Sequence, residues 1–303
     1  MRVLVTGAGG FVGRNLVPVL VAEGFHVVGV MREPSPSVPM PQSGPGSFTL
    51  VAGDLTQGLD LTQSVDVVVH AASKLSVDTS VSEDAHILNN ALATQRLIDD
   101  VVSAGARQLI FLSSILVYGE IEVPVVDEAT AIQNPGAYGR SKLLAEKALQ
   151  DVSGKLPSVS LRLPGIIGVG AHRTWLVRCV EAMMRNQPVE VFDCNGAFNN
   201  AVHVKDLCRF IVTLIRAELS GSEILTLGSE GVMSISMATE RLLRGLGSGS
   251  EIIESESKKP AFSISIEKAR KHFGYAPMDT ETMLDHYAQE MLGATSQRVS
   301  GLA

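Results

Sequence analysis

The first half of the chain alternates short apolar runs with longer amphipathic segments. Continuous apolar runs are typical of parallel strands covered on both faces by helices. The predicted strands are Arg2–Thr6, Val27–Met31, Phe48–Ala52, Val65–His70, Gln108–Leu112 and Ser158–Leu163. The predicted helices are Phe11–Glu23, about Ser82–Ala104, and Tyr138–Asp151. This alternation predicts the α/β class with a doubly wound parallel sheet.

Beyond Pro164 the pattern breaks into shorter pieces. Helices are predicted near 174–185, 237–246, 266–273 and 280–292, and strands near 189–192 and 224–227. We predict a doubly wound domain over residues 1–165 and a smaller, partly discontinuous region over 166–303. Residues 201–228 are expected to return to the first domain. The last ten residues are expected to fray.

Proline and glycine crowd the segment from Glu33 to Ser47. These residues disfavour a helix, so a surface loop is predicted where a crossover helix would otherwise stand.

Composition narrows the class of protein. The 303 residues are 45% hydrophobic and 5% aromatic, which allows a large buried core. No apolar run reaches the length of a membrane span, and Met1-Arg2 leads straight into a strand, so no membrane partner and a cytoplasmic location are expected. Cys179, Cys194 and Cys208 lack metal-ligand spacing and are expected to be reduced thiols. The net charge of −7 argues against nucleic acid as a partner.

A glycine-rich turn joins the first strand to the first helix. Gly7, Gly10 and Gly13 span the turn and the start of the helix, which opens with Phe11 and Val12. Missing side chains let the turn tighten, and the backbone N–H groups at the helix start can then point at phosphate. The strand-turn-helix context predicts a binding site for a dinucleotide pyrophosphate.

Three later residues suggest proton chemistry. Tyr138 and Lys142 are four residues apart at the start of a helix, so they share one face. A tyrosine titrates near pH 10, and a neighbouring ammonium is expected to lower that pKa. Ser114 ends a strand at the carboxyl edge of the sheet, where it can hydrogen-bond a substrate oxygen. Tyr138 is therefore predicted as the acid-base group and Ser114 as its partner.

Motifs along nearly the whole chain resemble the extended short-chain dehydrogenase/reductases, in their NAD-dependent epimerase/dehydratase branch. The segments that carry the resemblance are Thr6–Gly13, Gly53–Leu55, His70–Ala72, Asn90–Thr94, Ser113–Gly119, Tyr138–Lys142, Leu161–Pro164 and Val202–Asp206. The resemblance implies a Rossmann fold, a bound NAD(H) or NADP(H), and action on a nucleotide-linked sugar through a 4-keto group.

The same resemblance assigns further residues. Asp54 would contact the adenine, and Leu55, Ala71, Ala72 and Pro164 would line the cofactor. Tyr138, Lys142 and Ser114 keep the roles given above, and Lys142 would also hold the ribose. His70 is expected to be a packed residue at a strand end rather than a catalyst. The family often forms homodimers through the two long helices, which we expect here as well.

Three departures from the family pattern are informative. Dehydratases carry an Asp-Glu pair directly after the catalytic hydroxyl residue, whereas this chain has Ile115 and Leu116, so dehydration is disfavoured. The second strand ends without a carboxylate and is followed by Arg32, which favours NADP(H) over NAD(H). Asn199 stands where many relatives have an arginine that grips the substrate diphosphate. Candidate replacements are Arg173, Arg178, Lys258 and Lys259.

The sequence leaves two enzymatic hypotheses open and one of another kind. We favour a reductase of the 4-keto group of a nucleotide-linked 6-deoxy sugar, which consumes NADPH. The alternative is a 4-epimerase of the UDP-glucose type, which oxidises and re-reduces one sugar and retains its cofactor. The third hypothesis is a dinucleotide sensor without catalysis, although such proteins commonly lose the tyrosine or the lysine, and this chain has both.

Overall fold

The structure, a computed structural model of the chain, describes residues 1–33, 44–61, 63–73, 83–256 and 259–300. Most of the proline-rich segment and Lys258 therefore lie outside the described residues. The chain forms two compact units. The first unit comprises residues 1–120, 131–162 and 208–225, and the second comprises 121–130, 163–207 and 226–303.

The first 163 residues contain seven strands and three helices within the described ranges. The strands are β1 (Arg2–Thr6), β2 (His26–Met31), β3 (Ser47–Ala52), β4 (Val67–His70), β5 (Gln108–Ser114), β6 (Val125–Val126) and β7 (Ser158–Leu163). The helices are α1 (Phe11–Ala22), α2 (Glu83–Ser103) and α3 (Ala137–Asp151), and a 3-10 turn (Ile115–Val117) follows β5.

The remaining elements are shorter. The strands are β8 (Gly165–Ile167), β9 (Val189–Phe192), β10 (Ala197–Phe198), β11 (Ala201–His203), β12 (Ser222–Thr226), β13 (Met233–Ser234), β14 (Ile252–Ser255) and β15 (Ser263–Ile264). The helices are α4 (Trp175–Met183), α5 (Val204–Arg216), α6 (Ile235–Gly245), α7 (Glu267–Phe273) and α8 (Thr280–Ser300).

One seven-stranded sheet organises the first unit, in the order β12-β7-β5-β4-β1-β2-β3. Strand β1 pairs in parallel with β2 on one side and β4 on the other. Strand order reverses at this point, because β2 and β3 lie to one side and β4, β5 and β7 to the other. Ligands of doubly wound sheets bind at the carboxyl ends of the strands where the order reverses. The α/β doubly wound sheet predicted from the sequence is confirmed.

The core of the first unit lies between this sheet and its helices. Leu4, Val68 and Leu109 from three adjacent strands are fully buried, together with Leu97 of α2 and Leu149 of α3. Their burial explains why the apolar runs of the sequence correspond to strands: both faces of the sheet are covered.

The second unit has a separate core and several two-stranded pairs. Its core includes Val180 of α4, Leu242 of α6 and Leu284 of α8, each fully buried or nearly so. Strand β9 pairs with β14, and β8 pairs with β11, both in parallel. Within the described residues, no helix is both long and apolar enough to cross a bilayer.

The predicted strands of the first half all occur, with ends that differ by two residues or fewer. The two-residue strands and the pairs that include β8 and β11 were not predicted, since such short segments carry no periodicity. Helix α8 continues to Ser300, beyond the helix predicted near 280–292. The C-terminal end of this helix could not be predicted from the sequence, because the residues there lack an apolar stripe.

Candidate active site

The glycine turn depends on close approach between backbone segments. Gly7 has a φ of +71°, and a Cβ atom there would lie 2.8 Å from the Ala72 nitrogen. A Cβ atom at Gly13 would overlap the carbonyl oxygen of Gly7 and the backbone of Ala8. The Gly10 N–H donates to the Gly7 carbonyl at 2.9 Å, which closes the turn. Side chains at Gly7 or Gly13 would therefore push the turn away from β4 or from α1.

The start of α1 offers backbone donors. The first helical hydrogen bond runs from the Arg14 N–H to the Gly10 carbonyl at 2.9 Å. The N–H groups of Phe11, Val12 and Gly13 therefore precede the intrahelical ladder. Gly10 has no side chain with which to cap them, and the first turn of α1 contains no acidic residue. This end of α1 fits a phosphate group.

A cavity of about 360 Å³ lies at the same edge of the sheet. This volume falls within the range of about 300–1,000 Å³ that is usual for small-molecule sites. The cavity is lined by Thr6, Gly7, Val30, Met31, Arg32, Gly53, Asp54, Leu55, Thr56, His70, Ala72, Ser73, Asn89, Asn90, Ala93, Thr94, Phe111, Ser141, Lys142 and Ala145. Five residues predicted for cofactor binding thus share one cavity with Gly7: Arg32, Asp54, Leu55, Ala72 and Lys142. Ala71 lies beside it, with its N–H donating to the Thr6 carbonyl at 3.3 Å.

A directed chain of hydrogen bonds runs beneath this cavity. The Thr94 hydroxyl donates to the Asn90 carbonyl at 3.0 Å, so it accepts from Nε2 of His70, also at 3.0 Å. His70 therefore carries its proton on Nε2, and Nδ1 accepts from the Thr6 hydroxyl at 2.7 Å. The Thr6 oxygen accepts in turn from the Ala72 N–H at 3.3 Å. Burial, together with the positive charge of Lys142, lowers the pKa of His70 to about 3.

Asp54 and Arg32 lie at the part of the cavity formed by the ends of β2 and β3. The Asp54 carboxylate accepts from the Thr56 backbone N–H at 2.9 Å and from its hydroxyl at 2.8 Å. These hydrogen bonds lower the pKa of Asp54, and the charge of Arg32 contributes to the decrease. The Arg32 side chain is exposed. Asp54 is therefore a fixed carboxylate, and Arg32 is a cation within electrostatic range of it.

Tyr138 and Lys142 share one face of α3, as predicted. The Lys142 ammonium lies 5.5 Å from the centre of the Tyr138 ring and 4.6 Å from that of Phe111. It donates to the Leu112 carbonyl at 2.8 Å. Burial lowers the pKa of Lys142 to about 7, and the negative charge of Glu146 acts in the opposite direction.

The expected decrease in the pKa of Tyr138 is wrong for this structure. Burial raises the pKa of Tyr138, and a hydrogen bond with Ser73 only partly offsets the increase. Removing a phenolate from water disfavours the charged form, and burial also disfavours the ammonium of Lys142 that was expected to stabilise it.

Ser114 lies at the end of β5, where it caps the 3-10 turn. Its hydroxyl oxygen accepts from the Leu116 N–H at 3.2 Å. Helix α3 packs tightly against this turn, because a Cβ atom at Gly139 would overlap the Leu116 carbonyl oxygen. The absent side chain of Gly139 thus lets the helix that carries Tyr138 and Lys142 approach the segment that follows Ser114.

Other predicted residues lie in the second unit. Pro164 lies there between β7 and β8. The Asn199 amide is buried: its nitrogen donates to the Ser229 and Ile264 carbonyls at 3.2 and 2.8 Å, and its oxygen accepts from the Ile264 N–H at 2.7 Å. Asn199 therefore links three backbone segments. Arg173, Arg178 and Lys259 also belong to this unit.

The sequence reasoning missed several residues of the first unit. Gly139 directly follows Tyr138, yet a single helical glycine gives no signal of close packing. Ser113, Glu146 and Arg162 form a buried polar network beside α3. Glu146 continues the four-residue spacing of Tyr138 and Lys142, and this spacing was a signal that could have revealed it.

Comparisons with known proteins agree with this geometry. Residues 3–228 match the model of the NAD dependent epimerase/dehydratase family. A UDP-glucose 4-epimerase of Corynebacterium glutamicum is 26% identical, over 93% of this chain and 92% of that protein. The structure of MoeE5 in complex with UDP-glucuronic acid and NAD is 26% identical with a TM-score of 0.82. The match covers 97% of this chain and 100% of that one.

A third comparison concerns the fold alone. The UDP-glucuronic acid 4-epimerase from Bacillus cereus, in complex with UDP-glucuronic acid and NAD, is 24% identical with a TM-score of 0.78, covering 97% of this chain and 100% of that one. Since the family model spans well over half of the chain and the doubly wound sheet is the fold of these relatives, the chain belongs to the NAD dependent epimerase/dehydratase family and is an enzyme of the extended short-chain dehydrogenase/reductase type.

Proposed function

We propose that this enzyme transfers hydride between a nicotinamide dinucleotide and C4 of a nucleotide-linked sugar. The observation that carries the proposal is the arrangement of the first unit, in which the cavity extends from Gly7 to Lys142 and α3 also carries Tyr138. The names of the relatives support the substrate class, because they include a UDP-glucose 4-epimerase and a protein bound to UDP-glucuronic acid.

A bound nicotinamide would supply or accept the hydride, and the side chains would manage the proton. Tyr138 gives its phenolic proton to the sugar oxygen during reduction and takes it back during oxidation. Its raised pKa suits the donating direction, since the phenol then stays protonated at neutral pH. Lys142 holds the nicotinamide ribose through its ammonium, and Ser114 hydrogen-bonds the reacting oxygen. Gly7, Gly10, Phe11, Val12 and Gly13 hold the pyrophosphate.

Dehydration is not part of the proposal. Ile115 and Leu116 follow Ser114, and neither can remove a proton from carbon or protonate a leaving hydroxyl. Leu116 is 55% exposed, so its apolar side chain is available for contact rather than for acid-base chemistry. Oxidation and reduction at the same carbon are then the reactions that remain for this site.

Two reactions share this chemistry. A 4-keto reductase consumes NADPH, and Arg32 supports it because a guanidinium at the end of β2 can bind the 2′-phosphate in bidentate fashion. A 4-epimerase retains NAD, and the similarity to a UDP-glucose 4-epimerase supports it. We favour NADP(H) and the reductase on the strength of Arg32, with NAD(H) and the epimerase as the alternative.

A single-turnover experiment distinguishes the two. Purified protein is mixed with NADPH or NADH and a 4-keto-6-deoxy nucleotide sugar, and separately with NAD+ or NADP+ and UDP- or GDP-hexoses. Stoichiometric loss of reduced-nicotinamide absorbance with the keto sugar, faster with NADPH, is expected for the reductase. Interconversion of C4 isomers without net cofactor consumption would instead establish the epimerase. If neither reaction occurs with any of these sugars, the proposed substrate class is wrong.

The Tyr138→Phe variant tests the proton step. The variant keeps the ring but loses the hydroxyl, so we expect turnover to fall by about 100-fold to 10,000-fold while dinucleotide affinity changes by less than about threefold. Tyr287→Phe, which removes a hydroxyl from a buried ring in the second unit, is the control and should retain turnover. Normal turnover in Tyr138→Phe would show that another group carries the proton.

A further inference from the structure

A buried polar network lies on the side of α3 that faces β5 and β7. We call it the Glu146 network; its members are Ser113, Tyr118, Glu146 and Arg162. Arg162 donates to the two carboxylate oxygens of Glu146, from Nε at 3.1 Å and from Nη2 at 2.7 Å. The Ser113 hydroxyl donates to the same carboxylate at 2.5 Å. The Arg162 guanidinium lies 4.8 Å from the centre of the Tyr118 ring.

Burial makes this network costly unless each charge is paired. Glu146 is 6% exposed, Arg162 3% and Ser113 4%. A buried ion pair is rarely the most stabilising choice for a core, because apolar residues of similar volume often replace it without loss. The groups that the Glu146 carboxylate faces therefore bear on whether it has a role beyond packing.

Glu146 lies one helical turn beyond Lys142, on the same face of α3. Tyr138, Lys142 and Glu146 follow one another at intervals of four residues. Glu146 also accepts a hydrogen bond from Ser113, the residue that directly precedes Ser114. One carboxylate thus connects β5 with the helix that carries the two residues proposed for proton transfer and ribose binding.

The charge of Glu146 acts on Lys142. Burial favours the neutral amine of Lys142, and the negative charge of Glu146 favours the ammonium. Among the described residues, the other titratable groups that face this ammonium are His70 of β4 and Tyr138 of α3, with Arg162 of β7 behind Glu146. His70 stays neutral above pH 5, and burial raises the pKa of Tyr138. Lys142 is therefore the member of this group that titrates between pH 6 and pH 9.

We propose that Glu146 is a positioning residue of the dinucleotide site, whose buried carboxylate favours the ammonium form of Lys142 and fixes α3 against the end of β5. The inference rests on the proposed function, because Lys142 must hold the cofactor ribose for its charge to matter. The ammonium binds ribose hydroxyls more strongly than the neutral amine does. Dinucleotide affinity should then fall as the pH rises through the pKa of Lys142.

The test compares the pH dependence of dinucleotide affinity in the unsubstituted protein and in Glu146→Gln. Dissociation constants for NADH and NADPH are measured by fluorescence from pH 5 to pH 9, and thermal unfolding is recorded for each protein. We expect the pH at which affinity falls to decrease by about one unit in Glu146→Gln, which lowers affinity up to about tenfold between the two midpoints. Asp151→Asn, which removes an exposed carboxylate at the end of α3, should keep the original midpoint.

The outcomes separate this inference from the proposed function. An unchanged midpoint in Glu146→Gln, even with a lower melting temperature, would show that the network serves packing alone and would overturn the inference. Absence of dinucleotide binding by the unsubstituted protein would overturn the proposed function, and this inference with it.

A second variant covers the case in which Glu146→Gln does not fold. The double substitution Glu146→Met with Arg162→Met removes both charges and fills their volume, so no buried charge is left unpaired. Since the negative charge of Glu146 raises the pKa of Lys142, the midpoint should again decrease when that charge is removed. An unchanged midpoint in this folded variant would contradict the inference.

Discussion

Lys142 and Tyr138 are both buried in the first unit, and burial disfavours the charged form of each side chain. The pKa of Lys142 falls to about 7 and that of Tyr138 rises. A tyrosine and a lysine four residues apart in sequence therefore do not by themselves make a phenolate. The charge of each depends on its other neighbours, and the carboxylate of Glu146 favours the ammonium of Lys142.

In the proposed function, Arg32 is the residue that would favour NADP(H) over NAD(H). We expect Arg32→Ala to weaken NADPH binding by about 10-fold to 100-fold and to change NADH binding by less than about threefold, because only the 2′-phosphate needs the guanidinium. The measurement is a pair of fluorescence titrations.

The control for Arg32 is Arg107→Ala, which removes an exposed arginine whose only ion pair in the described structure is a 3.7 Å contact with Asp66. This variant should bind both cofactors as the unsubstituted protein does. Equal losses of NADPH and NADH affinity in Arg32→Ala would show that Arg32 does not read the 2′-phosphate.

At the scale of elements, the position of α3 depends on its contact with the 3-10 turn after β5. Gly139 makes that contact possible, since any side chain there would meet the Leu116 carbonyl. The same helix packs on α2, so it cannot retreat freely to admit a methyl group. The geometry between Ser114 and the Tyr138 face of α3 is therefore set by a single missing side chain.

Gly139→Ala tests this contact. Alanine favours helices by up to about 1 kcal/mol over glycine, so an unconstrained site would be stabilised. Here the clash should dominate: we expect destabilisation by about 1–3 kcal/mol and at least about a tenfold loss of turnover. The measurements are urea unfolding and steady-state kinetics.

Gly154→Ala is the matched control, because a Cβ atom at Gly154 would meet no atom within 4 Å. It should keep the turnover and the stability of the unsubstituted protein. An alanine at 139 that is neutral or stabilising would show that α3 and the turn can separate without cost.

At the scale of the whole molecule, the two units have separate cores, and their stability responds to pH through buried groups. His70 has a pKa of about 3 in the folded protein, against an ordinary value of 6.5. The unfolded chain therefore binds the proton more readily, and folding keeps the full benefit of the neutral imidazole only above pH 6.5. That benefit decreases as the pH falls toward 3.

His70→Asn measures this effect. Between pH 6.5 and pH 5 the unsubstituted protein should lose about 2 kcal/mol of unfolding free energy through His70, at about 1.4 kcal/mol for each pH unit. His70→Asn should be less stable at pH 7 but should lose correspondingly less on acidification. Urea unfolding followed by circular dichroism provides the comparison, with the exposed His272→Asn as control. Parallel pH dependence in all three proteins would contradict the assignment.

Prediction from sequence succeeded where local pattern and backbone chemistry coincide. The apolar runs that became β1, β2, β4 and β5 had to be strands of a covered sheet, and Gly7 to Gly13 had to form a turn before α1. The shared face of Tyr138 and Lys142 followed from helical spacing alone. Strands of two residues, such as β6 and β10, have no period and could not be predicted.

The sequence by itself determined the doubly wound sheet, the glycine turn and the pairing of Tyr138 with Lys142, because each depends on residues that are close along the chain. Only the tertiary structure decided the charges of these residues, since burial depends on packing between distant segments. It also decided that Gly139 meets Leu116 and that Glu146 meets Arg162. Contacts of this kind arise from the close packing of a folded interior and leave no periodic signal in the sequence.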